Sequence, residues 1–164
     1  MLGGLDALAK APGLVIGERY ATGSSLSQAL GFATVAAFDS GNLLPVAKAP
    51  HEKYQDKPMV IGGADHKHLE AIQGVNLGRS KTEEAARAVG GKWLLRIFVP
   101  GEQAANPKGS TDFNDLATRS VLGQEGVARQ VRSVVDDVIE WQRGRSGQEL
   151  QRGQRQEQGR RLSR

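Results

Sequence analysis

The sequence predicts an α/β fold: a parallel sheet of about four strands with helices on both faces, then a disordered basic C-terminal tail. Three observations predict it. Short apolar runs alternate with stretches of helical spacing along residues 14–141. The runs are continuous rather than alternating, as expected for strands covered on both faces. The composition then changes near residue 143, where apolar residues almost disappear. Two segments follow, a folded domain over 1–142 and an Arg/Gln-rich tail over 143–164.

Leu14-Val15-Ile16 is the first strand, ending at Glu18. Thr22-Gly23-Ser24-Ser25 supplies N-cap residues for a helix through about Leu30, and Gly31 stops it. Thr34–Phe38 is the second strand, ending at Asp39. A helix from Asn42 to about Tyr54 places Leu43, Val46 and Ala47 at helical spacing, with Pro50 expected to kink or shorten it. Met59-Val60-Ile61 is the third strand, leading into Gly62-Gly63-Ala64-Asp65. A helix over Ser80–Val89 is closed by Gly90-Gly91. Trp93–Val99 is the fourth strand and Pro100–Asp115 a polar loop. Gly126–Trp141 is an amphipathic helix, apolar at Val127, Val131, Val134, Val135, Val138 and Trp141.

The bulk properties exclude several classes. Without cysteine there is no disulfide framework and no thiolate metal site. The apolar runs fall far short of the roughly 20 residues that span a membrane, and the N-terminus lacks a signal-peptide pattern. A cytoplasmic protein with no membrane partner is expected. The net charge of +4 is uneven. Residues 143–164 carry seven Arg and two Glu, a net of +5, which leaves −1 for residues 1–142. Affinity for nucleic acid is therefore expected from the tail, through Arg152, Arg155, Arg160 and Arg161, and not from a generally basic domain. The tail has too little apolar surface to offset ordering entropy, so it is expected to be disordered or helical only on a partner.

The most informative pattern is where the acids fall. Glu18, Asp39 and Asp65 follow the first three strands, and Asp112 and Asp115 lie in the loop after the fourth. In parallel sheets ligands bind beyond the carboxyl ends of the strands. Carboxylates gathered there repel one another unless a cation sits among them, and Mg²⁺ takes oxygen ligands together with phosphate oxygens. The pattern points to phosphoryl-transfer or phosphodiester chemistry, with one carboxylate available as general acid or base.

These residues also carry a resemblance. Residues 14–23, LVIGERYATG, resemble the EGYATA motif of plasmid conjugation primases. Residues 35–47, VAAFDSGNLLPVA, resemble that family's AxFDxGNLxxVA segment. Ile61–His66 stands where the family has its DxD motif, and Asn76-Leu77-Gly78 followed by Ala85-Ala86 resembles its NPG…AA helix. Asp112-Phe113-Asn114-Asp115-Leu116 matches DFNDL. The resemblance covers residues 3 to about 120 and implies a Toprim-like domain. It implies that Glu18 is the general acid/base and that Asp65 binds Mg²⁺ or Mn²⁺. It implies supporting acidic positions at Asp39, Asp112 and Asp115. It also implies RNA primer synthesis on single-stranded DNA, with nucleotides as substrates and a primase, helicase or relaxase as protein partner. The chain is short for a primase, as a fragment, a relic or one piece of a split enzyme would be.

Three departures bear on activity. Arg19 replaces the glycine after the catalytic glutamate. If φ were positive there, a non-glycine residue would cost roughly 1–2 kcal/mol, and Arg19 stands next to Glu18 as a candidate ion-pair partner. Gly63 replaces the first Asp of DxD, which removes a metal carboxylate and predicts weak Mg²⁺ binding. Leu77 stands where the family has Pro. On this reading the double change Arg19→Gly and Gly63→Asp should restore metal affinity.

Other signals are weaker. Asp65-His66-Lys67-His68-Leu69-Glu70 lacks the further ligands of a dedicated zinc site. Lys81, Arg87 and Lys92 read as solvated, and Trp93 and Trp141 as packing residues. GERYATG fits neither a Rossmann fingerprint nor a P-loop. Three functions stay open: Mg²⁺-dependent nucleotidyl transfer, non-catalytic binding of nucleic acid or a partner, and metal-dependent phosphodiester cleavage.

Overall fold

The computed structural model describes residues 3–162, with side chains described for 3–145, 147 and 148. Four parallel strands make one sheet: β1 (Leu14–Gly17), β2 (Val35–Ala36), β3 (Met59–Gly62) and β4 (Lys92–Leu94), in the order β2-β1-β3-β4. The helices are α1 (Gly4–Lys10), α2 (Tyr20–Leu30), α3 (Leu43–Lys53), α4 (Lys67–Gln73), α5 (Leu77–Ala88), α6 (Glu102–Ala105), α7 (Phe113–Arg119) and α8 (Gly123–Leu162). The α/β fold with a parallel sheet is the one the sequence predicts.

Side-chain alternation on the two central strands divides the core. Leu14 and Ile16 of β1 and Met59 and Ile61 of β3 pack with Leu8 of α1, Leu43 and Ala47 of α3, and Ala85 and Ala86 of α5. Val15 and Val60 face the other way, against Leu26 of α2, Phe113 and Leu116 of α7, and Val127, Val131 and Val135 of α8. Each such fully buried large side chain is worth roughly 1.5–3 kcal/mol, so the central strands are held from both sides.

The sequence-based boundaries move at several places. β2 is only two residues long because Phe38 turns the chain off the sheet with φ of 73°. β4 ends at Leu94, and Arg96 is drawn inward rather than continuing the strand. The expected loop over 100–115 contains α6 and the start of α7, whose N-cap is Asp112. Pro50 lies inside α3 without ending it. Trp93 and Trp141, expected as packing residues, are both exposed; guanidinium groups of Arg79 and Arg145 lie 5.8 and 4.8 Å from their rings.

Beyond the sheet, the outer edge of the chain past β4 is closed by a side chain. Gln130 of α8 accepts from the Ile97 N–H through Oε1 and donates to the Ile97 carbonyl through Nε2, both at 2.7 Å. Over the expected tail, the backbone of α8 continues as helix to Leu162 and adds no residue to either core cluster among the described residues. Gln, Arg and Glu are good helix formers, and extending an existing helix avoids the cost of nucleation. No helix among the described residues is long and apolar enough to cross a membrane.

Candidate functional site

All four strands are parallel, so their carboxyl ends share one edge. The order β2-β1-β3-β4 makes β1 and β3 neighbours whose onward connections run in opposite directions, through α2 on one face and α5 on the other. This is a topological switch point, where open α/β sheets form their ligand crevice. Glu18 leaves β1 and Asp65 follows β3 at that point.

Glu18 is 2% exposed, and its Oε2 accepts from the Ala64 N–H at 2.8 Å. The backbone around it is tightly drawn. A Cβ on Gly17 would meet Gly23 N at 2.6 Å, so α2 packs directly onto the end of β1 and the glycine allows that approach. The positive φ that would strain Arg19 does not occur. Its φ is −118°, ordinary extended backbone at the N-cap of α2, and Arg19 forms no ion pair with Glu18.

Asp65 is 6% exposed. Its Oδ1 accepts from Asn76 Nδ2, and its Oδ2 lies 3.5 Å from Arg96 Nη1 and 3.9 Å from Lys67 Nζ. Its backbone N–H donates to the Thr111 carbonyl at 2.9 Å, which stitches the 110–115 segment to the end of β3.

The remaining acids have structural partners. Asp39 is exposed and receives two hydrogen bonds from Asn42, one from the backbone N–H and one from Nδ2, capping the 3₁₀ turn Ser40–Asn42. Asp112 is buried and caps α7 by accepting from the Asp115 N–H at 2.8 Å. Asp115 accepts from both the N–H and the hydroxyl of Thr111 at 2.9 Å, with Arg119 Nε at 3.5 Å. Arg152, Arg155, Arg160 and Arg161 lie outside the residues whose side chains are described.

Among the described residues, no three His, Asp or Glu side chains converge as a metal-binding group. Asp65 Oδ1 is hydrogen-bonded to Asn76, and Oδ2 accepts no hydrogen bond but faces the Arg96 and Lys67 cations. The residues in place therefore do not fit a divalent ion in this arrangement.

Asn76, part of the NPG-like motif but given no role by the sequence, and Arg96, which no motif contains, organise the edge. Asn76 accepts from the His66 and Arg79 N–H groups and donates to Asp65 and Glu70, joining α4, α5 and the end of β3. Arg96 is 4% exposed. Its Nη2 donates to the carbonyls of Asp65, at 2.8 Å, and of Ser110, at 3.2 Å. A cation within an apolar run, and an Asn just before a helix start, were the signals available in the sequence. Burial lowers the His66 pKa; Glu18 opposes that, while Arg19, His68 and Arg96 add to it. Beside these residues lies a groove of about 540 Å³ lined by Lys67, His68, Arg96, Phe98, Pro100 and Gln103 among others.

No protein-family model and no solved structure matches the chain. Two proteins of Escherichia coli, each named DNA primase TraC, are similar to it. One is 44% identical across 85% of this chain and 18% of its own length. The other is 41% identical across 84% of this chain and 13% of its own length. The chain thus spans less than a fifth of either relative.

Proposed function

We propose that the chain is a Toprim-like domain of the plasmid-primase type that engages single-stranded DNA and nucleotides, and that as it stands it performs little or no primer synthesis. The observation that carries this reading is the placement of buried Glu18 and Asp65 just past the carboxyl ends of neighbouring strands at the switch point. Identity above 40% to two DNA primases supports the primase assignment. The adjoining groove has the size of a nucleotide site.

In this reading Glu18 is the group available for proton transfer, and Asp65 is the carboxylate nearest to a metal role. Mg²⁺ or Mn²⁺ binding is weak, because Asp65 is held by Asn76 and Arg96. The arginine-rich extension supplies contacts to the DNA backbone, and a helicase, relaxase or further primase segment is the expected protein partner.

The test uses purified chain, single-stranded DNA, ribonucleotides and either metal. Binding of DNA without primer synthesis is the expected result. Efficient primer synthesis would overturn the inactive assignment. Cutting of labelled DNA without nucleotides would move the reading to a phosphodiesterase.

A further inference from the structure

We infer that the Arg96 guanidinium is the resident cation of the acidic edge, holding Asp65 and the 110–115 segment together in the place that a divalent ion would otherwise take. It is a positioning residue. The inference rests on the acidic edge being the site described above, but its readouts are metal affinity and stability, so it and the primase reading fail separately.

The geometry is that of a buried counter-ion. The Arg96 side chain is wholly shielded from solvent. Nη2 joins two chain segments by donating to the Asp65 and Ser110 carbonyls, and Nη1 faces Asp65 Oδ2 at 3.5 Å. Nε and Nη1 have no hydrogen-bond acceptor. The guanidinium is thus held in large part by charge, and a buried charge without compensating charge is costly. The compensating charge is the Asp65 carboxylate, whose Oδ2 is the ion-pair partner of Nη1. The other cation near Asp65, Lys67, is 3.9 Å away and largely exposed, so solvent weakens its claim. The Phe98 ring, 5.5 Å from the guanidinium, adds an aromatic contact.

A metal ion does the same two jobs: it balances carboxylates and joins the loops that carry them. With Arg96 in place, Asp65 Oδ2 faces a buried guanidinium, and the acidic edge has its positive charge. Removing the guanidinium should leave the acids uncompensated and open to a metal.

The experiment compares the full chain with Arg96→Gln, Arg96→Lys and the double variant Arg96→Gln/Asp65→Asn. Thermal unfolding and Mn²⁺ titration are read with and without millimolar metal. The wild type and Arg96→Lys should show no metal-dependent rise in Tm. Arg96→Gln should unfold earlier, be rescued by metal, and bind Mn²⁺ about tenfold or more tightly than the wild type, as removal of a unit charge beside a ligand oxygen requires. The double variant should lose the metal response. If Arg96→Gln does not fold alone, folding on addition of Mn²⁺ supports the inference. Failure to fold with metal, or a folded Arg96→Gln with wild-type Mn²⁺ affinity, overturns it. A wild-type metal response as large as that of Arg96→Gln also overturns it.

Discussion

Thr82 fills the space that a side chain on Gly63 would need: its Cβ and Cγ2 each lie 2.7 Å from an ideal Cβ there, and its Oγ1 lies closer still. Rotating the threonine does not help, because its own Cβ is one of the clashing atoms. Thr82 is also tied into α5 through a 2.6 Å hydrogen bond to the Gly78 carbonyl. The sequence-based expectation that Gly63→Asp restores a metal ligand meets this obstacle. Gly63→Asp should destabilise the fold by about 1–3 kcal/mol through overpacking, without raising Mg²⁺ affinity. Urea unfolding and calorimetric titration check both parts. Gly63→Asp combined with Thr82→Gly should recover part of the stability.

Phe38 offers a second test. It holds φ of 73° while 67% exposed, so no burial compensates its backbone. Phe38→Gly should raise stability by about 1 kcal/mol by releasing that strain. Under the proposed function, single-stranded DNA affinity should fall at the same time, because an aromatic platform at the carboxyl edge stacks on bases at roughly 1–3 kcal/mol each. Denaturation and fluorescence anisotropy separate the two effects. Higher stability with unchanged affinity would assign Phe38 no part in binding.

His66 sets a pH dependence. Its folded pKa is depressed, chiefly by burial, so the unfolded chain takes up this proton first. Its contribution is full above the ordinary value of about 6.5 and is lost as pH falls from there through the lowered folded value. Unfolding midpoints should therefore drop as pH falls below about 6.5, and His66→Gln should flatten that part of the profile. An unchanged slope in the variant would place the proton uptake elsewhere.

The extension beyond residue 142 carries the basic excess. With about five phosphate contacts, single-stranded DNA binding should show a logarithmic salt slope near −3.5. Deleting residues 143–164 should abolish most of the affinity and bring the slope close to zero. Retained affinity would place the DNA contacts on the domain itself.

The sequence revealed most where one local signal settled the structure. Leu14–Ile16 and Met59–Ile61 are continuous apolar runs, and both became central strands. Glu18 and Asp65 follow them closely, so the edge they share could be read from parallel topology alone. The backbone at position 19 could not be read from sequence: Arg19 is extended, and the close approach that requires glycine is at Gly17, against Gly23. α7 was hidden in an expected loop, although Asp112 as cap with Phe113, Leu116 and Ala117 behind it is a helix signature in a short segment. Arg96 could not be placed, because its partners lie 31 and 14 residues away and only the fold joins them.

The amide of Gln130 has a consequence for how the molecule meets its neighbours. An outer strand carries unpaired N–H and carbonyl groups that can recruit a strand from another chain. At Ile97, just past β4 and with its side chain exposed, both backbone groups are already occupied by one side-chain amide acting as a single residue of missing strand. An approaching chain would have to displace two 2.7 Å hydrogen bonds there before gaining any of its own. Gln130 thus caps this stretch against edge-to-edge association, and the exposed Ile97 does not become the start of an intermolecular sheet.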